Sequence, residues 1–385
     1  MKTCLQHARV VLANNVLEDS SVLIEDGYIS AVGGAAPSNA VTIDLGGQFL
    51  LPGLIDVHGD ALEKFIEPRP NVLFPLDFAL AQADRVAMAA GITTPFHAIA
   101  FSEGELGVRN TRLAAEIVRA IGARRGLCDT RVHVRYEITD RAAQPLIREL
   151  VEEGAAHMLS FMDHTPGQGQ FKSLEAYTLY ITKTYNLSHQ EAENMASRKM
   201  DERKAASERI SQLAAAARAK DVPIASHDDD SPERVELMAG LGATISEFPI
   251  NLETAAAARK HHMATIVGAP NVLRGKSQTS SLRAIDAIKQ GQADCLCADY
   301  VPAALLAAVF RVVHEGVLEL HHAARLATLN AARAAGMADR GEIAPGLRAD
   351  LIAVELAGGF PHVTSTWVNG RRVFASESLP APVTV

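Results

Sequence analysis

Two rhythms of apolar and polar residues alternate along most of the chain. Short apolar runs read as buried strands, and between them lie stretches whose apolar residues recur at helical spacing. The first strand lies within Phe49–Asp60, where Leu50, Leu51, Leu54, Ile55 and Val57 make a run apolar on both faces, as a parallel sheet allows. Further strands are predicted over Thr93–Ala100, Arg131–Ile138, His157–Asp163, Pro223–His227, Thr244–Pro249, Ala264–Val267 and Ala293–Ala298. Helical patterns fall between them over Leu76–Ala90, Thr111–Ala123, Ala142–Glu153, Pro232–Leu241, Thr254–His261 and Leu282–Gln290. Eight strands alternating with helices predict an α/β fold, a (β/α)8 barrel over residues 51–340.

Outside that block the rhythm is shorter. Strands are predicted over Ala8–Leu12, Ser21–Glu25, Tyr28–Val32 and Val41–Asp44, and near the other end over Asp350–Glu355, Thr364–Val368 and Arg371–Phe374. Asn369-Gly370 is a strong hairpin turn. Neither end suffices alone, so residues 1–50 and 341–385 are expected to combine into a small β-sandwich. One crossover is too long for a single helix. Residues 165–221 carry helical patterns around Lys172–Tyr185 and Gln190–Lys220, with Ser188 and Glu191 as a capping box. Such an insertion is either a surface elaboration or an arm over the barrel mouth.

Composition narrows the function. The 385 residues carry a formal net charge of -8, which argues against a general nucleic-acid or anionic-membrane binder. No run is apolar enough to span a membrane and no signal sequence is evident. Cys4, Cys128, Cys295 and Cys297 form no Cys-x-x-Cys, which suits a reducing, cytoplasmic setting. Cys295 and Cys297 read as small core residues, and His261-His262 and His321-His322 as surface. Gly275-Lys276-Ser277 is not a phosphate loop, because Pro270 stands where the first glycine belongs.

Chemistry collects where strands end. The first ends in His58-Gly59-Asp60, the third carries Arg135 and Glu137 on one face, and the fourth ends in Asp163-His164. The fifth ends in His227-Asp228-Asp229-Asp230, and Asp299 follows the eighth. In a barrel these ends converge on one mouth. His58, Asp60, Glu137, His164, His227 and Asp299 then form a nitrogen and oxygen set suited to Zn2+ or another first-row divalent ion, one or two per chain.

Leu51-Pro-Gly-Leu-Ile-Asp-Val-His58, the paired ends, Asp299 and the run Asp339–Ile352 resemble the amidohydrolase superfamily. Asp60 stands where the superfamily's usual second histidine would. His58-Gly-Asp60-x-x-Glu63-Lys64, Pro68-Arg-Pro70, Met162–Gln168, Ser226–Asp229, Gly268–Gly275 and Ala298–Pro302 are similar to the α-D-ribose 1-methylphosphonate 5-triphosphate diphosphatase family of the carbon–phosphorus lyase pathway. That family has Gly-Ser-His where this chain has Lys276-Ser277-Gln278.

The resemblance implies hydrolysis of a ribose 5-triphosphate to the 5-phosphate and pyrophosphate. Glu137 would be able to bridge ions, and Asp299 would act as general base and then acid. Lys64, Arg69, Arg135, Lys172, Arg274 and Lys276 become candidates to offset triphosphate charge. It implies a small-molecule phosphorylated substrate and a place beside the proteins of that pathway, with self-association a further expectation. Two other readings compete: an amidohydrolase acting on a cyclic amide or ester or deaminating a small molecule, and a non-catalytic scaffold. Asp60 and the Met162–Gln168 run stand against the first, and the filled ligand positions against the second.

Overall fold

The computed structural model describes residues 2–102, 107–169, 171, 173–185, 187–277 and 281–377. Its centre is a parallel barrel of eight strands in sequential order: Leu54–Gly59, Ile92–Phe101, Arg131–Glu137, Met158–Met162, Ile224–His227, Ile245–Glu247, Ala264–Gly268 and Cys295–Cys297. The last strand returns to the first at the mouth. Asp299 N–H donates to His58 O at 2.9 Å and Asp60 N–H to Asp299 O at 2.8 Å. The buried Asp56 carboxylate reinforces this closure by accepting from Ala298 N–H at 2.8 Å. Inside, Ile55, Val57, Phe96, Met158, Ala225, Ile245, Ile266, Cys295 and Cys297 fill the barrel.

The apolar run Phe49–Asp60 is two strands. Phe49–Pro52 pairs with Leu351–Ala357 in an outer sheet, and Leu54–Gly59 begins the barrel. The hand-over falls at Gly53, where a Cβ would overlap the Thr93 side chain. A period-two pattern cannot reveal this break, since both segments are buried.

The outer sheet is built from both chain ends. Its order is Arg371–Ala375, Phe360–Val368, Leu351–Ala357, Phe49–Pro52, Lys2–Val11, Val16–Glu25 and Tyr28–Val32, with Val41–Asp44 also pairing Lys2–Val11. Trp367 is fully buried within it, beside Leu5, Val10, Ile24 and Leu50. Asn369 and Gly370 both take positive φ, 49° and 72°, as the tight turn demands. Buried Arg340 locks the closing segment to the barrel through Thr94 Oγ1 at 3.0 Å and Asp129 Oδ2 at 2.5 Å.

The long crossover holds three helices, Leu174–Tyr185, His189–Lys204 and Ala206–Ala219, the second pattern being broken at Ala205. The Ser188–Glu191 capping box is present, with Glu191 N–H donating to Ser188 Oγ at 3.3 Å and Ser188 N–H to Glu191 Oε2 at 2.8 Å. Phe171, Tyr177, Ile181, Ala192 and Ala196 give this insertion its own small core. Arg203 pins it to the mouth, donating to Asp163 Oδ2 at 2.7 Å and to Gln168 Oε1 at 2.9 Å. Helices Ala269–Arg274, Ala304–His314, Leu320–Arg325 and Leu329–Ala334 lie beyond those the sequence pattern predicts. His261 and His262 are exposed as expected, but His321 is buried and only His322 is exposed. Among the described residues no helix is long and apolar enough to cross a membrane.

Candidate active site at the barrel mouth

Each mouth residue is held by a strand end. His58 is the penultimate residue of the first strand and His227 the last of the fifth, and their rings stack with centroids 5.5 Å apart. Beneath them lies Glu247, the last residue of the sixth strand and fully buried. Its Oε1 meets His58 Nδ1 at 2.9 Å, its Oε2 meets His227 Nδ1 at 3.2 Å, and Ser160 Oγ donates to Oε2 at 3.0 Å. Both imidazoles therefore carry a proton on Nδ1 and turn Nε2 toward the mouth. This is how a carboxylate orients metal-binding histidines from behind. Phe248 packs edge-on against both rings at 5.0 and 5.3 Å.

Asp228, Phe248 and Asp299 follow these strands with φ of 54°, 54° and 57°. Positive φ at three non-glycine residues is costly and collects here because the strands turn sharply outward at the mouth.

Arg135 enters from the third strand, nearly fully buried. Its Nη1 donates to Asp60 Oδ1 and Oδ2 at 2.9 and 3.2 Å, and its Nη2 lies 3.3 Å from His227 Nε2. A guanidinium only donates, so His227 Nε2 is the acceptor. The opposite flank belongs to Glu137. Its Oε2 is 3.1 Å from His164 Nδ1 and 3.3 Å from Lys199 Nζ, and Oε1 accepts from Thr139 Oγ1 at 2.9 Å. Lys199 is delivered by the insertion helix His189–Lys204 and is itself buried. The insertion is thus an arm that reaches the site.

Electrostatics follow this geometry. Burial works against charge on Asp60, but Arg135 and His58 override it and hold the carboxyl far below its usual range. Burial likewise opposes charge on Glu137, and Lys199 and His164 hold it low. His58 is raised to about 10 because the Glu247 charge outweighs burial. His227 is lowered, by burial and then by Arg135 despite the Asp228 charge, in keeping with a neutral acceptor. Asp299 is pushed up to about 6, first by burial and then by the Asp60 charge.

Does the donor set fit a divalent ion? His164 Nε2 is buried and has no hydrogen-bond partner among the described residues, and leaving such an atom unpaired costs about 1–3 kcal/mol. Donor atoms of His164, His227 and Asp228 lie within 4.8 Å of one another. The imidazoles and carboxylates suit a first-row ion, so the residues fit. His58, His227 and Glu247 also cluster, but there the carboxylate oxygens already bind the two Nδ1–H groups.

The structure brings His58, Asp60, Glu137, His164, His227 and Asp299 to one mouth. Arg135 and Arg274 line its cavity. Lys64, Arg69 and Lys276 are exposed and do not line it. Lys172 and Gln278 lie outside the described residues. Sequence reasoning passed over Glu247 and Lys199. Glu247 had a signal, a lone carboxylate in the apolar strand Thr244–Pro249, whereas Lys199 had none on a polar helix.

Comparison with known proteins agrees with this architecture. Residues 49–373 match the amidohydrolase family, and the chain belongs to that family, a hydrolase with a barrel-mouth site. It is 35% identical over 381 residues to the Escherichia coli (strain K12) α-D-ribose 1-methylphosphonate 5-triphosphate diphosphatase, covering 96% of this chain and 100% of that protein. The Deinococcus deserti imidazolonepropionase is 28% identical over 394 residues, covering 93% of this chain and 92% of its own. In fold, the Pasteurella multocida N-acetylglucosamine-6-phosphate deacetylase superposes with a TM-score of 0.66 at 14% identity, covering 98% of this chain and 100% of its own.

Proposed function

We propose that this protein hydrolyses a ribose 5-triphosphate bearing a 1-methylphosphonate group, leaving the 5-phosphate and releasing pyrophosphate. The full-length 35% identity to the E. coli diphosphatase carries this reading, and a mouth that joins two arginines to imidazoles and carboxylates supports it. His58, Asp60, Glu137, His164, His227 and Asp228 are the residues that would hold one or two divalent ions, Zn2+ or Mn2+ first. When bound, such an ion polarises a phosphoryl oxygen and lowers the pKa of water toward neutrality.

The chain's own groups do the rest. Asp299, on the rim of the cavity, takes the proton of the attacking water and returns it to the departing pyrophosphate oxygen. A carboxyl near 6 is ionised at neutral pH yet basic enough for this exchange. Arg135 and Arg274 offer fixed positive charge to the triphosphate. Glu247 acts from behind by orienting two imidazoles. We place the described residues up to Pro52 and from 341 to 377 in the sheet domain and those of 54–340 in the catalytic barrel, with 165–221 as its arm. A reducing cytoplasm suits the four free thiols.

The test is pyrophosphate release from the ribose triphosphate methylphosphonate, measured on the protein as purified, after chelation and after return of Zn2+ or Mn2+. Release that stops with chelator and returns with metal is expected. Absence of release from metal-loaded protein would direct the assignment to an amide or ester substrate.

A further inference from the structure

The cavity at the mouth has two unlike walls. One carries the charged groups described above, from the exits of the first, third, fifth and eighth strands. The other is built where the sixth and seventh strands leave the barrel, side by side between His227 and Asp299. Phe248, Ile250, Gly268, Pro270 and Leu282 line it, and Tyr300, just beyond Asp299, completes it. Among the described lining residues on this side Arg274 alone is charged, and it stands exposed at the end of the helix Ala269–Arg274.

The neutral wall is fixed in place. Leu282 N–H donates to Ile250 O at 2.9 Å. Asn271 ties the same segment to the helix, its Nδ2 donating to Leu282 O at 2.9 Å and its Oδ1 accepting from Ala284 N–H at 3.0 Å. Gly268 closes the seventh strand with φ of -76° and ψ of 130°, a conformation open to any residue, so the backbone does not require a glycine there. A Cβ at this position would sit 3.6 Å from Phe248 Cε1, 3.7 Å from Asp299 Oδ2 and 3.8 Å from Pro270 Cδ. Those distances are ordinary van der Waals contact, which the protein itself would accept. What the glycine preserves is room beside the Asp299 carboxylate.

We propose that this wall is the subsite for the sugar, and that Gly268 sets the size of the group admitted beside Asp299. The inference rests on the functional reading above and deepens it. Releasing pyrophosphate from a 5-triphosphate breaks the bridge between the α- and β-phosphoryl groups. The ribose half and the pyrophosphate half therefore lie on opposite sides of the reacting centre. Pyrophosphate set against Phe248, Ile250, Pro270 and Leu282 would give up water to side chains that return no hydrogen bond. A furanose presents C–H faces that gain from the same contact. With the ribose on the neutral wall, the pyrophosphate falls on the charged one, where Arg135 stands.

The experiment separates the two halves of the substrate. Wild type, Gly268→Ala, Gly268→Val and Tyr300→Ala are loaded with Mn2+ and titrated calorimetrically with ribose 5-phosphate and with inorganic pyrophosphate, alongside KM and kcat for the full triphosphate. Gly268→Val is expected to weaken ribose 5-phosphate about tenfold and pyrophosphate less than about twofold, the scale on which one misplaced methylene in a pocket is felt. Gly268→Ala should shift the same way by a smaller factor. Tyr300→Ala alters an exposed ring, should weaken ribose 5-phosphate alone, and keeps the test decisive if Gly268→Val does not fold. Pyrophosphate weakened as much as ribose 5-phosphate, or neither ligand affected, would overturn the subsite while metal-loaded wild type still releases pyrophosphate from the triphosphate. A metal-loaded wild type that releases none would overturn the functional reading, and the subsite with it.

Discussion

The barrel has a cavity at each end. At the mouth it encloses about 200 Å³, walled by buried His58, Arg135 and His227 and capped by Asp299. At the opposite end, where the strands begin, lies a broader depression of about 880 Å³ bordered by Arg218, Arg259, Arg325 and Arg333. The floor is larger and has more arginines, yet its charges are solvated. Arg218, Arg259 and Arg333 are exposed, and Arg259 is paired with Asp294 at 2.7 Å. The mouth is small, but its charged groups face one another away from water, where each interaction is stronger and each unpaired atom more costly. Size and charge alone therefore say little about function. Convergence of buried, mutually constrained groups says more.

The sharpest way to break this contrast is Asp299→Asn. Removing the proton acceptor should lower kcat by about 10²–10⁴-fold while bound metal is retained. Turnover at the wild-type rate would remove Asp299 from the mechanism and weaken the case for the mouth. Lys199→Met tests the arm. It strips the ammonium from buried Glu137 and is expected to cost about 3 kcal/mol in urea unfolding, the scale of a broken buried pair. A loss under about 0.5 kcal/mol would class the contact with exposed pairs.

These two residues also show what the sequence could and could not convey. Asp299 was legible because it follows an apolar strand, and strand ends in a barrel meet by topology. His58, Glu137, His164 and His227 were legible for the same reason. Lys199 was not, because its helix has almost no apolar face and nothing local says which polar residue turns inward. The break at Gly53 was hidden by an uninterrupted apolar run. The exact partners of Arg135 depend on side-chain direction across three strands, which no spacing rule supplies. Of the six cations chosen to meet a triphosphate, buried Arg135 and exposed Arg274 line the cavity, and neither charge nor burial alone picks them out.

Titration gives two finer tests. Asp299 must be ionised to accept a proton, and its carboxyl sits at about 6. The kcat/KM profile should fall tenfold per pH unit below about 6 and level off above it. An acid limb near 4 would mean the buried environment has no such effect. Asp56, behind the mouth, is raised to about 7 by burial, against the N–H groups of Ala298 and His58. Its folded pKa exceeds the unfolded value of about 3.9, so the folded state binds the proton more tightly. Its contribution to stability is present below the unfolded pKa and is lost as pH rises through 7. The melting temperature of the wild type should decline from pH 5 to pH 8 more steeply than that of Asp56→Asn, and equal slopes would refute the assignment.

The smallest expected effect belongs to the floor. Arg325 and Arg333 have no carboxylate within ion-pair distance among the described residues. Surface changes away from special features usually stay within about 0.5 kcal/mol. Arg325→Ala combined with Arg333→Ala should leave both kcat/KM and melting temperature essentially where they were. If the double variant instead lost activity, or if inorganic pyrophosphate inhibited the wild type but not the variant at concentrations that leave the mouth unsaturated, the floor would be an anion site in its own right. The contrast would then fail at its weaker end, because solvated arginines would be recognising phosphate without the buried partners that define the mouth.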